Sequence, residues 1–199
     1  LLGYAAGSVP LGLLVAYLFA GIDIRRHGTG NVGASNVWRN VGLLPAAVVA
    51  LGVFLQGLLP PLAARLLGAQ EGVVAAAALG PVVGYGWSPF LGFRGGRALG
   101  VATGAAAALS PGGLLVLLGT YALGALLRQI PPATLLAFVL YAAYAFLTGA
   151  PPAYRAAAAL LLVLVAARRL EGVRREVRRG PPVRAVLELL VFQRRRPGR

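Results

Sequence analysis

The chain has 199 residues, 58% hydrophobic and 12% charged, with a formal net charge of +14 and a mean hydropathy of +0.78. A composition this apolar excludes an ordinary soluble domain of the same length and makes a bilayer the natural solvent. Cysteine is absent, which excludes disulfides, thiolate catalysis and a cysteine metal site, and the single histidine, His27, cannot form a metal cluster alone.

A transmembrane helix needs about 20 mainly apolar residues to cross about 30 Å of hydrocarbon, and such runs recur along the chain. The first, Leu1 to Ala20, has no basic leader and carries Gly3, Gly7, Ser8 and Pro10, so it reads as a span and not as a cleaved signal. Further helices are expected near Leu43 to Leu67, Val73 to Trp87, Ala98 to Leu109, Gly112 to Leu127, Pro132 to Leu147 and Ala153 to Ala167. The fourth of the seven is short. Gly95, Gly96, Gly100, Pro111 and Gly113 around it predict a broken or re-entrant segment sheltered by protein. Most of the 28 glycines are expected to serve close helix packing. The expected fold is all-α: a polytopic integral membrane protein, one membrane-embedded domain over residues 1–199, with about seven transmembrane helices and a short or broken fourth.

All nineteen basic residues are arginine. An amino terminus outside puts seventeen of them on the cytoplasmic side and leaves Arg65 and Arg155 outside. The basic tail from Arg168 to Arg199 mixes Arg with Leu and Val around Pro181 and Pro182, as an interfacial helix would, although a plain topology anchor explains it as well. Guanidinium also suits phosphate groups and anionic headgroups, while a GC-rich genome or topology alone would produce the same bias.

Gly21 to Gly42 reads GIDIRRHGTGNVGASNVWRNVG, a polar island between two apolar helices. Gly28, Gly30 and Gly33 permit backbone conformations whose amide hydrogens converge on an anion, and Thr29, Asn31, Ser35 and Asn36 add neutral donors. A helical turn starting at Ser35 or Asn36 would favour a phosphate, with Arg39 on the same face as Ser35 to close over it. Asp23 and His27 are bases by residue type, but a carboxylate beside Arg25 and Arg26 is more simply a structural partner. The second island, Gly84 to Gly104, reads GYGWSPFLGFRGGRALGVATG. There Arg94 and Arg97 flank Gly95 and Gly96, so the backbone can approach a ligand while guanidinium groups neutralise its charge. Both arginines would equally mark the cytoplasmic side, and Trp87 and Phe93 read as interfacial anchors.

The two islands, with the preceding GSVPLGLLVAYLFAGIDIRRHG, resemble the bacterial acyl-phosphate:glycerol-3-phosphate acyltransferase family, called PlsY. The resemblance implies a multi-pass protein of the bacterial cytoplasmic membrane, with its amino terminus outside and its carboxyl terminus cytoplasmic. The implied activity moves a fatty acyl group from acyl phosphate to the 1-hydroxyl of glycerol 3-phosphate, giving lysophosphatidic acid in phospholipid biosynthesis. By the same resemblance, Thr29, Arg39 and Arg97 take catalytic positions, Thr29 where Ser and Arg97 where Lys is usual. Gly28, Gly30, Asn31, Gly33, Ser35, Asn36, Gly95 and Gly96 take substrate-binding positions. The implied partners are acyl phosphate, glycerol 3-phosphate, membrane lipids and the soluble enzyme that makes acyl phosphate; no cofactor, metal or nucleic acid is implied.

The chain departs from the family pattern at several places. Val53 and Gln56 stand before Gly57 where Asp and Lys are usual, Tyr85 replaces a His, and Pro131 stands where a Ser is usual. GGRALGVAT has two extra residues, Ala98 and Leu99, which inside a helix would turn it by about 200°. The family's His-Arg-Glu-Asn run has no counterpart placed among Arg168 to Gly180. With no secure side-chain base, a substrate phosphate oxygen is the expected proton acceptor. The competing expectation is a non-catalytic paralogue that binds phospholipid or a phosphate ligand; a small transporter fits less well, because no intramembrane charged pair or inverted repeat is visible.

Overall fold

The computed structural model describes residues 1–177, with side chains described through Glu171. Among the described residues nine α-helices run in order: α1 Leu2–Ser8, α2 Leu11–Ala20, α3 Ala34–Asn40, α4 Leu43–Leu66, α5 Glu71–Gly86, α6 Leu99–Leu109, α7 Pro111–Leu126, α8 Ile130–Leu147 and α9 Pro152–Val177. Two 3-10 turns, Ile24–Arg26 and Pro89–Leu91, lie in the two polar islands. There is no strand among the described residues. All seven predicted spans are helical, and the architecture is that of an all-α membrane protein. Among the described residues four segments are long and apolar enough to cross a bilayer, namely Leu2–Ala20, Leu43–Leu66, Glu71–Leu91 and Ile130–Leu147, with shorter apolar helices at Leu99–Leu109 and Pro111–Leu126.

The first span is interrupted where the sequence reading made it continuous. Pro10 has no N–H, so the Ala6 carbonyl four residues earlier loses its helical partner and the chain breaks between α1 and α2. Gln56 of α4 repairs the break: its Nε2 donates to the Ala6 oxygen at 2.8 Å and to the Val9 oxygen at 3.0 Å. The Val9 oxygen also accepts from Leu11 N at 3.0 Å, so it is the Ala6 oxygen that relies on Gln56, and leaving it without a donor in an apolar setting costs about 1–3 kcal/mol. Gln56→Leu is therefore expected to lower thermal stability in detergent by about 2 kcal/mol. An unchanged unfolding midpoint would show that the break needs no clamp.

The short fourth predicted helix is α6, and every residue from 101 to 109 is buried. Its shelter is α4: a Cβ on Gly57 would collide with the Val101 carbonyl oxygen, and one on Gly104 with the Phe54 carbonyl oxygen. Two helices this close exclude side chains at the crossing, which is what small residues accomplish in a membrane protein. At its far end α6 gives way to α7 through Ser110, whose Oγ accepts from Gly113 N at 3.1 Å.

Two helix ends differ from expectation. Ala98 is not helical; it precedes α6 in a left-handed conformation, φ 60°, so the helix starts one residue late and the backbone turns in the connection. The two extra residues are thus not both carried inside the helix, and a full 200° rotation does not follow. α9 does not stop near Ala167 but runs on through Arg168 and Arg169 to Val177, so these two arginines belong to the packed helix and not to a tail. The proposed interfacial segment around Pro181 and Pro182 lies outside the described residues.

Candidate functional site

The first island is organised by one buried side chain. Asn36 Nδ2 donates to the carbonyl oxygens of Asn31 at 2.9 Å, His27 at 3.0 Å and Ile24 at 3.3 Å, while its Oδ1 accepts from Thr29 N at 3.0 Å and Asn40 Nδ2 at 3.1 Å. The loop wraps tightly around this amide. At Gly28, φ 56°, a Cβ would lie 2.5 Å from Asn36 Oδ1 and 2.6 Å from Asn40 Nδ2, so the turn needs glycine for both conformation and space.

Three of the loop's amides serve its own closure and not an anion. The Thr29 amide points inward to Asn36, the Gly30 amide to the His27 carbonyl at 3.0 Å, and the Asn31 amide to Thr29 Oγ1 at 3.4 Å. Gly33 is ordinary extended backbone, φ −86° and ψ 162°, which any residue adopts. Those amides are spent on the loop itself. The groups left facing outward are the side chains of Thr29, Ser35 and Arg39, all exposed, with Ser35 and Arg39 one turn apart on α3. The helical turn begins at Ala34, one residue earlier than expected, with Gly33 as its cap.

Asp23 is a structural partner, as expected. It accepts from Arg25 through N at 3.0 Å, Nε at 2.9 Å and Nη2 at 2.7 Å, capping the 3-10 turn. The hydrogen bond from Arg25 is the main reason its carboxyl is held down to about 2, against an ordinary value of 3.8. A carboxylate this acidic is a poor proton acceptor near neutral pH.

The second island meets the first at Tyr85, a contact the sequence reading missed. Tyr85 is buried, and its ring occupies the space a Cβ on Gly96 would need. Its hydroxyl lies 3.8 Å from the place of a Cβ on Gly33. Gly95 is equally constrained: its amide donates to the Gly86 carbonyl at 3.1 Å, and a Cβ would strike the Tyr85 carbonyl oxygen. Gly95 and Gly96 are therefore required by close backbone and ring packing, and Arg97 follows them, half-buried, at the start of α6.

The missed arginines of α9 complete this region. Arg168 is 1% exposed and donates through Nε to Gly96 O at 3.1 Å and through Nη2 to Gly95 O at 2.6 Å. Its guanidinium also stacks 4.9 Å from the Trp87 ring centroid, so Trp87 is a packing surface for a cation and not only an interfacial anchor. Phe93 is exposed, in keeping with the anchor reading. Arg169 donates through Nη1 to the Pro131 carbonyl and to Thr134 Oγ1, the latter at 3.0 Å. Burial, and after it the neighbouring Arg97 charge, pull the Arg169 pKa down from its ordinary value. No Gly or Pro lies between Ala153 and Glu171, and that uninterrupted run was the available signal that α9 would carry both arginines past the apolar stretch.

Residues 1–179 match the profile of the family described as "Glycerol-3-phosphate acyltransferase". A Rubrobacter xylanophilus protein of that name is 49% identical over 111 residues, 56% of this chain and 55% of that protein. One from Desulforamulus reducens is 41% identical over 113 residues, 57% of this chain and 56% of that protein. The chain thus spans about half the length of these curated relatives in the matched stretches. Among solved structures, the crystal structure of PlsY, an integral membrane glycerol 3-phosphate acyltransferase, in its glycerol 3-phosphate form superposes with a TM-score of 0.79 at 31% identity, covering 87% of this chain and 88% of that one. The lysophosphatidic acid form gives a TM-score of 0.78 at 31% identity, covering 94% of each chain.

Proposed function

The chain belongs to the glycerol-3-phosphate acyltransferase family, and from that premise we propose that it moves a fatty acyl group from acyl phosphate to the 1-hydroxyl of glycerol 3-phosphate, giving lysophosphatidic acid. The observation that carries the proposal is the meeting of the two islands at Tyr85, with Arg97 set beside Arg169 in the same region. Crystal forms of a similar protein with glycerol 3-phosphate and with lysophosphatidic acid support the same acceptor and product.

The chemistry asks little of the protein. Acyl phosphate is a mixed anhydride, so the acceptor hydroxyl oxygen attacks the acyl carbon, the acyl carbon–oxygen bond breaks, and inorganic phosphate leaves with the hydroxyl proton. That proton transfer needs no side-chain base, consistent with Asp23 being held as an ion by Arg25. Positioning and charge stabilisation then supply the rate. Arg97 neutralises the departing phosphate, while Thr29, Ser35 and Arg39 engage a substrate phosphate from the exposed face of the first island. Gly28, Gly30, Asn31 and Asn36 keep that face in shape, with Gly33 at its helix start, and Gly95 and Gly96 set Arg97. In this reading the donor comes from the soluble enzyme that makes acyl phosphate, and membrane lipids surround the apolar helices.

Arg39 makes the sharpest binding test, because it is exposed and its loss does not open the core. A guanidinium–phosphate bond contributes about 1.5–3 kcal/mol, so Arg39→Ala is expected to weaken glycerol 3-phosphate binding about tenfold to a hundredfold. The measurement is calorimetric titration of purified protein in detergent, with the unfolding midpoint unchanged. Equal affinity would reduce the loop to a structural turn.

The site is expected to face the cytoplasm, with the amino terminus outside, because that orientation puts seventeen of nineteen arginines inside. A cysteine inserted near Gly95 should react with impermeant reagents only from the cytoplasm, and one near Gly68 only from outside. Reversed labelling would remove the shared cytoplasmic site. One observation favours the non-catalytic alternative: Val53, Tyr85 and Pro131 stand where the family pattern is polar, and the Pro131 carbonyl is taken by Arg169.

A further inference from the structure

We propose that Arg168 is a positioning residue for Arg97: it fixes the peptides of the Gly95–Gly96 turn and thereby the direction in which that turn presents its amides and the Arg97 side chain. The proposal rests on the acyltransferase reading above and extends it to a residue that does not touch substrate. A buried guanidinium is costly unless its donors are satisfied. Here Nε and Nη2 are met by the Gly96 and Gly95 carbonyls at 3.1 and 2.6 Å, Nη1 by Glu171, and the flat face by Trp87. The stem leans on Gly86, where a Cβ would lie 3.1 Å from Arg168 Cδ. Gly86 in turn accepts the Gly95 amide through its carbonyl, so the turn is gripped from α5 on one side and from α9 on the other.

The consequence follows from peptide geometry. The described peptides are all trans, and in a trans peptide the carbonyl and the next N–H point in opposite directions. Holding the Gly95 and Gly96 carbonyls toward Arg168 therefore aims the amides of Gly96 and Arg97 away from it. Two successive peptides fixed this way offer a preset arrangement of donors, and Arg97 leaves the backbone from the second of them. A planar fork can hold both carbonyls at once, whereas a lysine ammonium in the same space reaches them singly and without the aromatic stacking.

The test is a double-mutant cycle on the full chain in detergent, reading glycerol 3-phosphate affinity by calorimetry together with kcat and KM for acyl transfer. Arg168→Lys is expected to lower kcat about tenfold, with a smaller change in glycerol 3-phosphate affinity, while the protein stays folded. The factor in kcat lost on Arg97→Ala should shrink at least about fivefold when Arg168→Lys is already present, because a misaimed Arg97 has less to lose. An Arg97→Ala factor that is the same in both backgrounds overturns the proposal and leaves Arg168 as a packing residue. If Arg168→Lys does not fold, Arg168→Gln, which keeps a donor without the charge, is read in the same cycle with the same criterion. A parent protein that binds no glycerol 3-phosphate removes the acyltransferase reading, and the proposal falls with it; a parent that binds but shows additive effects removes only the proposal.

Discussion

Asn36→Asp is expected to destabilise the protein by about 4 kcal/mol and to eliminate measurable glycerol 3-phosphate binding. The substitution keeps size and shape, so packing is not what changes. It removes the two amide N–H donors that are shared among the Ile24, His27 and Asn31 carbonyls, about 1–1.5 kcal/mol for each donor, and the rest of the loss comes from the charge that replaces them. It also turns a carboxylate oxygen toward those same oxygens and adds a negative charge inside a loop proposed to receive a phosphate. Thermal unfolding in detergent and calorimetric titration read both effects. Asn36→Ala, which loses the bonds without adding the charge, should be less damaging to binding than Asn36→Asp. If the two variants behave alike, the charge of the site is not what the ligand senses.

Arg97→Ala is expected to lower kcat by about a hundredfold to a thousandfold, with a smaller change in KM. The reason is when the interaction is needed: negative charge grows on the departing phosphate as the acyl carbon–oxygen bond breaks, so a fixed guanidinium there stabilises the transition state more than the bound substrates. Arg97 is half-buried, and its neighbour Arg169 is partly desolvated, so solvent screening is weaker than at an exposed arginine. Arg97→Lys should recover a large part of the rate, since charge matters more than the fork when a single oxygen is stabilised. A loss confined to KM would place Arg97 in ground-state binding instead.

The helical membrane architecture was legible in the sequence because hydropathy acts over about 20 residues and needs no knowledge of contacts. The sheltered fourth helix was legible for a related reason: α6 is short and made largely of Gly and Ala, which suits close approach to another backbone, and α4 supplies one at Gly57. Contacts between distant elements were not legible. The first span reads as continuous despite Pro10, and nothing local says that Gln56, 47 residues from Val9, would bind the carbonyls at a break there. Asn36 read as one neutral donor among several, and its role as the hub depends on a loop closing around it. Arg168 and Arg169 were assigned to a basic tail because charge counting sees sign and not depth, whereas Arg168 is among the most buried large side chains of the described residues. Tyr85 read as the loss of a His; in the structure the ring fills the gap beside Gly96 and joins the two islands.

The most direct test of the central claim is product formation by the purified protein given acyl phosphate and glycerol 3-phosphate. The account predicts lysophosphatidic acid, with inorganic phosphate released in equal amount. That activity should be lost in Arg97→Ala and retained in Arg155→Ala, whose guanidinium lies over Phe146 away from both islands. No product above the uncatalysed rate from a protein that still binds glycerol 3-phosphate would contradict it and establish the chain as a non-catalytic binder.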